Sequence, residues 1–199
     1  MQEVIPVHHK ILIFLFVTLF PFSSTLADEA IFAGGCFWCM EADFEKLNGV
    51  SEVISGFTGG ELLNPTYKGN HEGHYEAVRV IYDPEVVSYQ DLLDYYWINI
   101  DPFDDQGQFC DKGDSYLSAI FVANAKQRRL AETSRQKVVE QFPDKKVVTP
   151  ILEAGKFWPI KGKESYHQDY YKKSPLRYRF YRLSCGRDNR LEDIWGKKK

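Results

Sequence analysis

The chain is poor in cysteine, has no excess of charge of either sign, and contains a single long apolar run. Four cysteines in 199 residues are too few for a disulfide scaffold, yet enough for redox or metal chemistry. Acids number 28 and bases 25, a formal net charge of -3, so composition gives no reason to expect nucleic acid as a partner. Internal repeats and low-complexity segments are absent. A hydrophobic content of 44% and a charged content of 27% are ordinary globular values, which argues against disorder, collagen and a coiled-coil rod. What the chain does have is aromatics: 12 Tyr and 14 Phe, enough for a large core or an aromatic-lined pocket.

The apolar run, Ile11 to Phe22, follows Lys10 and leaves through Ser23, Ser24, Thr25, Leu26 and Ala27. A weakly basic start, a run of about 12 residues and a small-residue exit read as a signal peptide over residues 1–27, with Thr25 and Ala27 as the −3 and −1 positions of cleavage. A transmembrane helix needs roughly 20 residues, so an uncleaved anchor is the second reading. The expectation is an exported, periplasmic protein with one domain over 28–199 and no stable membrane insertion after cleavage. All four cysteines remain in that domain. An oxidising compartment demands a reason for any exposed thiol to stay reduced.

Periodicity and punctuation predict strands at Glu29–Ala33, Val50–Phe57, Glu76–Tyr82, Ala119–Ala123 and Val147–Glu153. Helices are expected from Cys36 or Phe37 to Leu47, from Ser88 to about Ile98, from Asn124 to about Gln141, and briefly over Tyr166–Lys172. Asp101–Gly113 reads as a loop, and the tail from Pro175 as basic and irregular. Strands alternate with helices, but not in the strict order of a doubly wound sheet. A mixed sheet with packed helices, of α+β class, fits better.

Cys36 is the leading chemical candidate. It follows Gly34-Gly35 and opens a helix, whose free N–H groups and partial positive charge stabilise a thiolate. An inert cysteine at a tight turn is the plainer alternative. Cys39 completes a C-x-x-C pattern with three readings. Zinc lacks a second ligand pair, because Cys110 and Cys185 stand far apart. A thioredoxin-like disulfide is the second. The third is a nucleophile beside an incidental neighbour, favoured by Phe37 and Trp38, two apolar side chains that could wall a pocket or simply fill the core. Glu76 shares a strand face with Val78, Val80 and Tyr82. If that face is the core, the carboxyl is desolvated and can hold a proton to donate; if not, it is a strand-end carboxylate in water. His71 and His74 read as loop residues. Asp111 and Tyr116 sit at a loop-to-strand boundary, where site groups often lie. Cys185 lies in a Gly-containing polar tail, suited to a resolving thiol; otherwise it is a free surface cysteine.

Taken together, several blocks resemble the peptide-methionine (S)-S-oxide reductases, the methionine sulfoxide reductase A family. The blocks are Gly34-Gly35-Cys36-Phe37-Trp38-Cys39-Met40-Glu41, Gly56-Phe57-Thr58-Gly59-Gly60, Asn64-Pro65-Thr66-Tyr67, Gly73-His74-Tyr75-Glu76-Ala77-Val78 and Tyr166-His167-Gln168-Asp169-Tyr170. The resemblance implies a two-layer sandwich with a ferredoxin-like core. It implies Cys36 as nucleophile, Glu76 as proton donor, Phe37 and Trp38 as walls for the substrate methyl group, Tyr67 and Tyr116 as hydroxyls around the sulfoxide oxygen, and Asp111 as a site aspartate. Cys185 falls where the family often keeps resolving cysteines, with Cys39 as the alternative. Only one cysteine follows Cys110, so a relay through two later cysteines is unavailable. The implied substrates are oxidised proteins and free methionine sulfoxide, the implied electron donor is thioredoxin-like, and neither a metal nor an organic cofactor is implied. Competing readings are a thioredoxin-like oxidoreductase working through Cys36-Cys39 and an exported binding protein with an aromatic pocket.

Overall fold

The structure is a computed structural model that describes residue 1 and residues 27–197. The expected signal peptide lies almost wholly outside the described residues. Among the described residues, no helix is long and apolar enough to cross a membrane.

The chain runs β1 (Asp28–Gly34), α1 (Phe37–Phe44), β2 (Val50–Thr58), β3 (Tyr75–Tyr82), α2 (Tyr89–Trp97), β4 (Gly107–Gln108), β5 (Asp111–Lys112), β6 (Ser118–Val122), α3 (Ala125–Gln141), β7 (Ile151–Glu153), β8 (Trp158–Pro159), α4 (Tyr170–Lys173), α5 (Pro175–Ser184) and α6 (Arg187–Trp195). Six strands form one sheet in the order β7-β6-β1-β3-β2-β8. Only β6 and β7 pair in parallel. β3 lies antiparallel between β1 and β2, so those two strands run the same way with α1 as their crossover, a split β-α-β unit. The α+β mixed sheet predicted from the sequence is the one found.

Period-two alternation decides which side chains meet the helices. Ala30 and Phe32 of β1 and Val78, Val80 and Tyr82 of β3 join Phe37, Met40 and Phe44 of α1 and Leu92, Leu93 and Tyr96 of α2 in the main core. Ile31, Ala33, Ala77 and Phe121 face the other way, against Leu152, Ala154 and Phe157. Local signals fix the helix starts. Ser88 and Asp91 form a reciprocal capping box on α2. Asn124 caps α3, but the Gln127 side chain accepts from Ala123 N rather than from the cap residue itself.

Three expectations change. The strand placed at Val147–Glu153 begins only at Ile151. The loop expected over Asp101–Gly113 contains the β4–β5 hairpin, with Phe109 and Cys110 at its turn. The tail is not irregular: α5 starts with Pro175, where a missing N–H costs nothing, and α6 buries Arg187, Leu191 and Ile194. No residue of α5 is fully buried; Leu176, Phe180 and Leu183 recur at helical spacing but face solvent. The basic character of the tail serves internal ion pairs: Arg182 of α5 meets Asp43 at 2.9 Å and Asp188 at 2.6 Å, and Arg190 of α6 meets Asp101 at 2.7 Å.

Candidate active site

The site begins where β1 turns into α1. Gly35 has φ of 77°, and a Cβ there would meet Gln108 Cβ at 2.6 Å. A Cβ on Gly34 would meet Met40 Sδ at 2.5 Å. Glycine at both positions lets the chain turn and places Cys36 at the N-cap of α1. Cys36 and Cys39 are both buried free thiols.

Glu76 enters from β3, on the core face as its register requires, and is only 1% exposed. Its Oε2 accepts from Phe37 N at 3.1 Å, taking one of the free N–H groups of the first turn. Its Oε1 is buried without a hydrogen-bond partner. Burial raises its pKa to about 8, against the Phe37 N–H bond and with help from the charge of Asp111. At neutral pH this carboxyl carries a proton.

The thiols differ from expectation. Burial, then the contact with Cys39 and the charges of Cys39 and Glu76, push the Cys36 thiol well above its usual value. Cys39 is lowered to about 7, first by the hydrogen bond from Cys36, against burial, with Arg187 and Arg182 adding to the shift. Cys36 therefore does not have the depressed value predicted for a helix N-terminus, because burial disfavours its charged form. The two thiols titrate as a pair.

Aromatic residues surround the pair. Phe37 is fully buried and packs on Phe57 and Tyr67, with ring centroids 6.0 and 5.9 Å away. Trp38 is partly exposed; it stacks on Tyr170 at 3.9 Å and donates from Nε1 to His167 Nδ1 at 3.1 Å. Burial lowers the His167 pKa to about 4, so the ring is neutral. Burial lifts Tyr67 to about 12 and holds Tyr116 above its usual value; the charges of Glu76 and Cys36 add to both shifts. Asp111, also raised by burial, accepts from the Tyr181 hydroxyl. The fold thus brings together Cys36, Cys39, Glu76, Phe37, Trp38, Tyr67, Tyr116 and Asp111.

Cys185 is not among them. It caps the C-terminus of α5 and is disulfide-bonded to Cys110, with Cα atoms 4.9 Å apart across a sequence separation of 75. The irregular tail expected around Cys185 is therefore a helix end fastened to the β4–β5 turn. One turn before it, Tyr181 hydrogen-bonds both Asp111, the neighbour of Cys110, and Cys36, and so links the two cysteine pairs. His71 and His74 are loop residues as read: His74 bonds Gly60 N and Leu62 O, and His71 bonds Thr66 O.

Sequence reasoning gave no role to His167, Tyr170, Tyr181 or Arg187. The first two lie in the Tyr166–Tyr170 block, whose density of polar and aromatic residues was the available signal. The last two were hidden in the tail read as irregular. Arg187 is 1% exposed, donates to Gly34 O at 3.2 Å and Asn99 O at 2.6 Å, and covers the Phe109 ring at 4.4 Å.

The family model described as "Peptide methionine sulfoxide reductase" matches residues 28–199. The chain is 51% identical over 174 residues to the peptide methionine sulfoxide reductase MsrA of Bacillus licheniformis, covering 85% of this chain and 94% of that protein. It is 50% identical over 172 residues to MsrA 2 of Caulobacter vibrioides, covering 85% and 86%. Among solved structures, methionine sulfoxide reductase A of Corynebacterium diphtheriae superposes with a TM-score of 0.66 at 29% identity, over 77% of this chain and 78% of that one. Mxr1 of Saccharomyces cerevisiae in complex with Trx2 shares the fold at 17% identity, with a TM-score of 0.51 over 77% and 91%. A glycine turn, a buried dithiol, a proton-bearing carboxyl and the sequence matches lead to one assignment: the chain belongs to the peptide methionine sulfoxide reductase family.

Proposed function

We propose that this chain reduces methionine S-sulfoxide, free or in proteins, to methionine, with Cys36 as nucleophile and Glu76 as general acid. The observation that carries the reading is the buried Glu76 carboxyl, protonated at neutral pH, held against the first turn of α1 that Cys36 opens. Cys36 passes its proton to the neighbouring Cys39 sulfur, and the Cys36 sulfur attacks the electrophilic sulfur of the sulfoxide. Glu76 gives its proton to the sulfoxide oxygen, with Tyr67 and Tyr116 beside it and Trp38 and Phe37 around the methyl group. Methionine leaves, and Cys36 is left as a sulfenic acid.

Cys39 is the nearest thiol and ionises readily. The Cys39 thiol attacks the Cys36 sulfenic sulfur, the sulfenic hydroxyl leaves with the Cys39 proton as water, and a Cys36–Cys39 disulfide forms. The reduced Cys185 thiolate then attacks that disulfide, and Cys110 completes the transfer as the Cys110–Cys185 bond. Cys185 thus resolves at the second step rather than the first. Cys110 is exposed, so an external dithiol can reach the pair. A thioredoxin-like donor is supported by the fold neighbour bound to Trx2. Export to the periplasm is supported by the run Ile11–Phe22 and its small-residue exit; the sequenced N-terminus of the protein from a periplasmic fraction is expected to begin just after Ala27.

The deciding assay is turnover of S- and R-methionine sulfoxide with dithiothreitol. Turnover of the S form alone, lost in Cys36→Ser, is expected. Equal use of both epimers, or activity retained in Cys36→Ser, would overturn the assignment and favour a general thiol–disulfide exchanger.

A further inference from the structure

We propose that Glu41 is a positioning residue for substrate binding: its carboxylate latches the Tyr166–Tyr170 segment onto α1 and thereby fixes Trp38. The inference rests on Trp38 lining the sulfoxide pocket, as proposed above.

Glu41 lies three residues after Trp38, on the same face of α1. It is completely buried, and the chemistry makes no use of it. Its two oxygens accept three hydrogen bonds: from Ser55 Oγ at 2.7 Å, from Gln168 Nε2 at 2.8 Å and from Asp169 N at 2.5 Å. Gln168 is bonded further to β2, donating to Val53 O at 2.7 Å and accepting from Ser55 N at 2.8 Å. Asp169 is a non-glycine residue at φ of 55°, a left-handed conformation that needs surrounding bonds to hold it. On either side of this turn stand the two residues that grip Trp38. His167 accepts its indole N–H, and Tyr170 stacks on its ring. The placing of His167 and Tyr170 is set by Gln168 and Asp169, and these are tied to Glu41. A glutamine could keep these bonds by donating from Nε2 to the Ser55 hydroxyl, whereas Glu41→Met keeps roughly the length of the side chain and accepts none of them.

The test is a double-mutant cycle on methionine S-sulfoxide reduction with Glu41→Met, Trp38→Phe and the double variant. Glu41→Met is expected to raise KM about tenfold, with the single-turnover rate at saturating substrate within about twofold of wild type. In the Trp38→Phe background, Glu41→Met is expected to change KM by less than about twofold. An unchanged KM in Glu41→Met, or the same fold-change in both backgrounds, would show that Glu41 serves general packing and not Trp38. A readout independent of activity follows the latch itself. The emission of Trp38, taken as wild type minus Trp38→Phe, should become more quenchable by acrylamide when Glu41→Met is introduced. Unchanged quenching overturns the latch, whereas a failure of Trp38→Phe to alter KM removes only the pocket reading beneath it. If Glu41→Met does not fold, Gln168→Ala breaks the same latch from its other side and carries the same expectations.

Discussion

Cys36 and Cys39 are neighbours in sequence, buried at the start of α1 and surrounded by Glu76, Arg187 and aromatic rings. Cys110 and Cys185 are 75 residues apart and bonded where a hairpin turn meets the end of α5, with Cys110 exposed. The first pair is local and buried, the second long-range and open. Burial lets one carboxyl keep a proton at neutral pH and lets charge on one thiol be felt by the other, which a reduction needing a nucleophile and an acid can use. Exposure lets a protein-sized reductant reach a sulfur. The two demands conflict at a single site, and two cysteine pairs separate them.

The comparison breaks first at its buried end. Cys36→Ser is expected to abolish methionine formation even in a single turnover, measured by quantifying methionine per chain; retained product would remove Cys36 from the chemical step. Glu76→Gln should slow sulfoxide reduction by roughly 10²–10⁴-fold, the usual contribution of a general acid. Its pKa of about 8 also sets a pH signature. Activity that needs the protonated carboxyl is lost as pH rises through about 8, and stopped-flow rates in Glu76→Gln should no longer show that limb. Stability falls in the same direction, over a lower window. The folded value lies above the unfolded one, about 4.3, so the unfolded state ionises first and wild-type stability falls as pH climbs from that value to about 8. Thermal unfolding of Glu76→Gln should therefore gain on wild type over that window.

The exposed pair is tested next. Cys110→Ser or Cys185→Ser should still yield methionine in a single turnover while thioredoxin-driven recycling falls steeply. Peptide mapping after one turnover is expected to find a Cys36–Cys39 linkage in Cys185→Ser; a stalled sulfenic acid on Cys36 instead would make Cys185 the first resolving thiol. The smallest effect lies far from both pairs. Ser88→Ala removes the α2 cap and should cost about 1 kcal/mol of stability, read by denaturant unfolding, with the substrate KM unchanged.

Elements with a periodic apolar pattern or a capping signal were readable from the chain alone. β1, β2 and β3 appear where alternation placed them, and Ser88 and Asn124 start their helices as read. The register of Glu76 with Val78, Val80 and Tyr82 correctly put a carboxyl on the core face. α5 was read as irregular tail although Leu176, Phe180 and Leu183 recur at helical spacing; its inner face carries Tyr178, Tyr181 and Arg182, and the apolar residues face solvent. β8, two residues long, is held by backbone pairing to Gly56 and Phe57 and has no pattern of its own.

The sequence by itself determined the turn at Gly34-Gly35, the dithiol at the start of a helix and the buried face that carries Glu76, because each depends on neighbours within a few residues. The tertiary structure decided which charges and rings surround the buried thiols, which cysteine Cys185 bonds, and what holds Trp38. Those outcomes depend on Arg182, Arg187, Tyr181, His167 and Glu41 meeting across more than a hundred residues or across packed layers. Charge, burial and hydrogen bonding at such distances are settled by where the chain folds, and no local pattern records them.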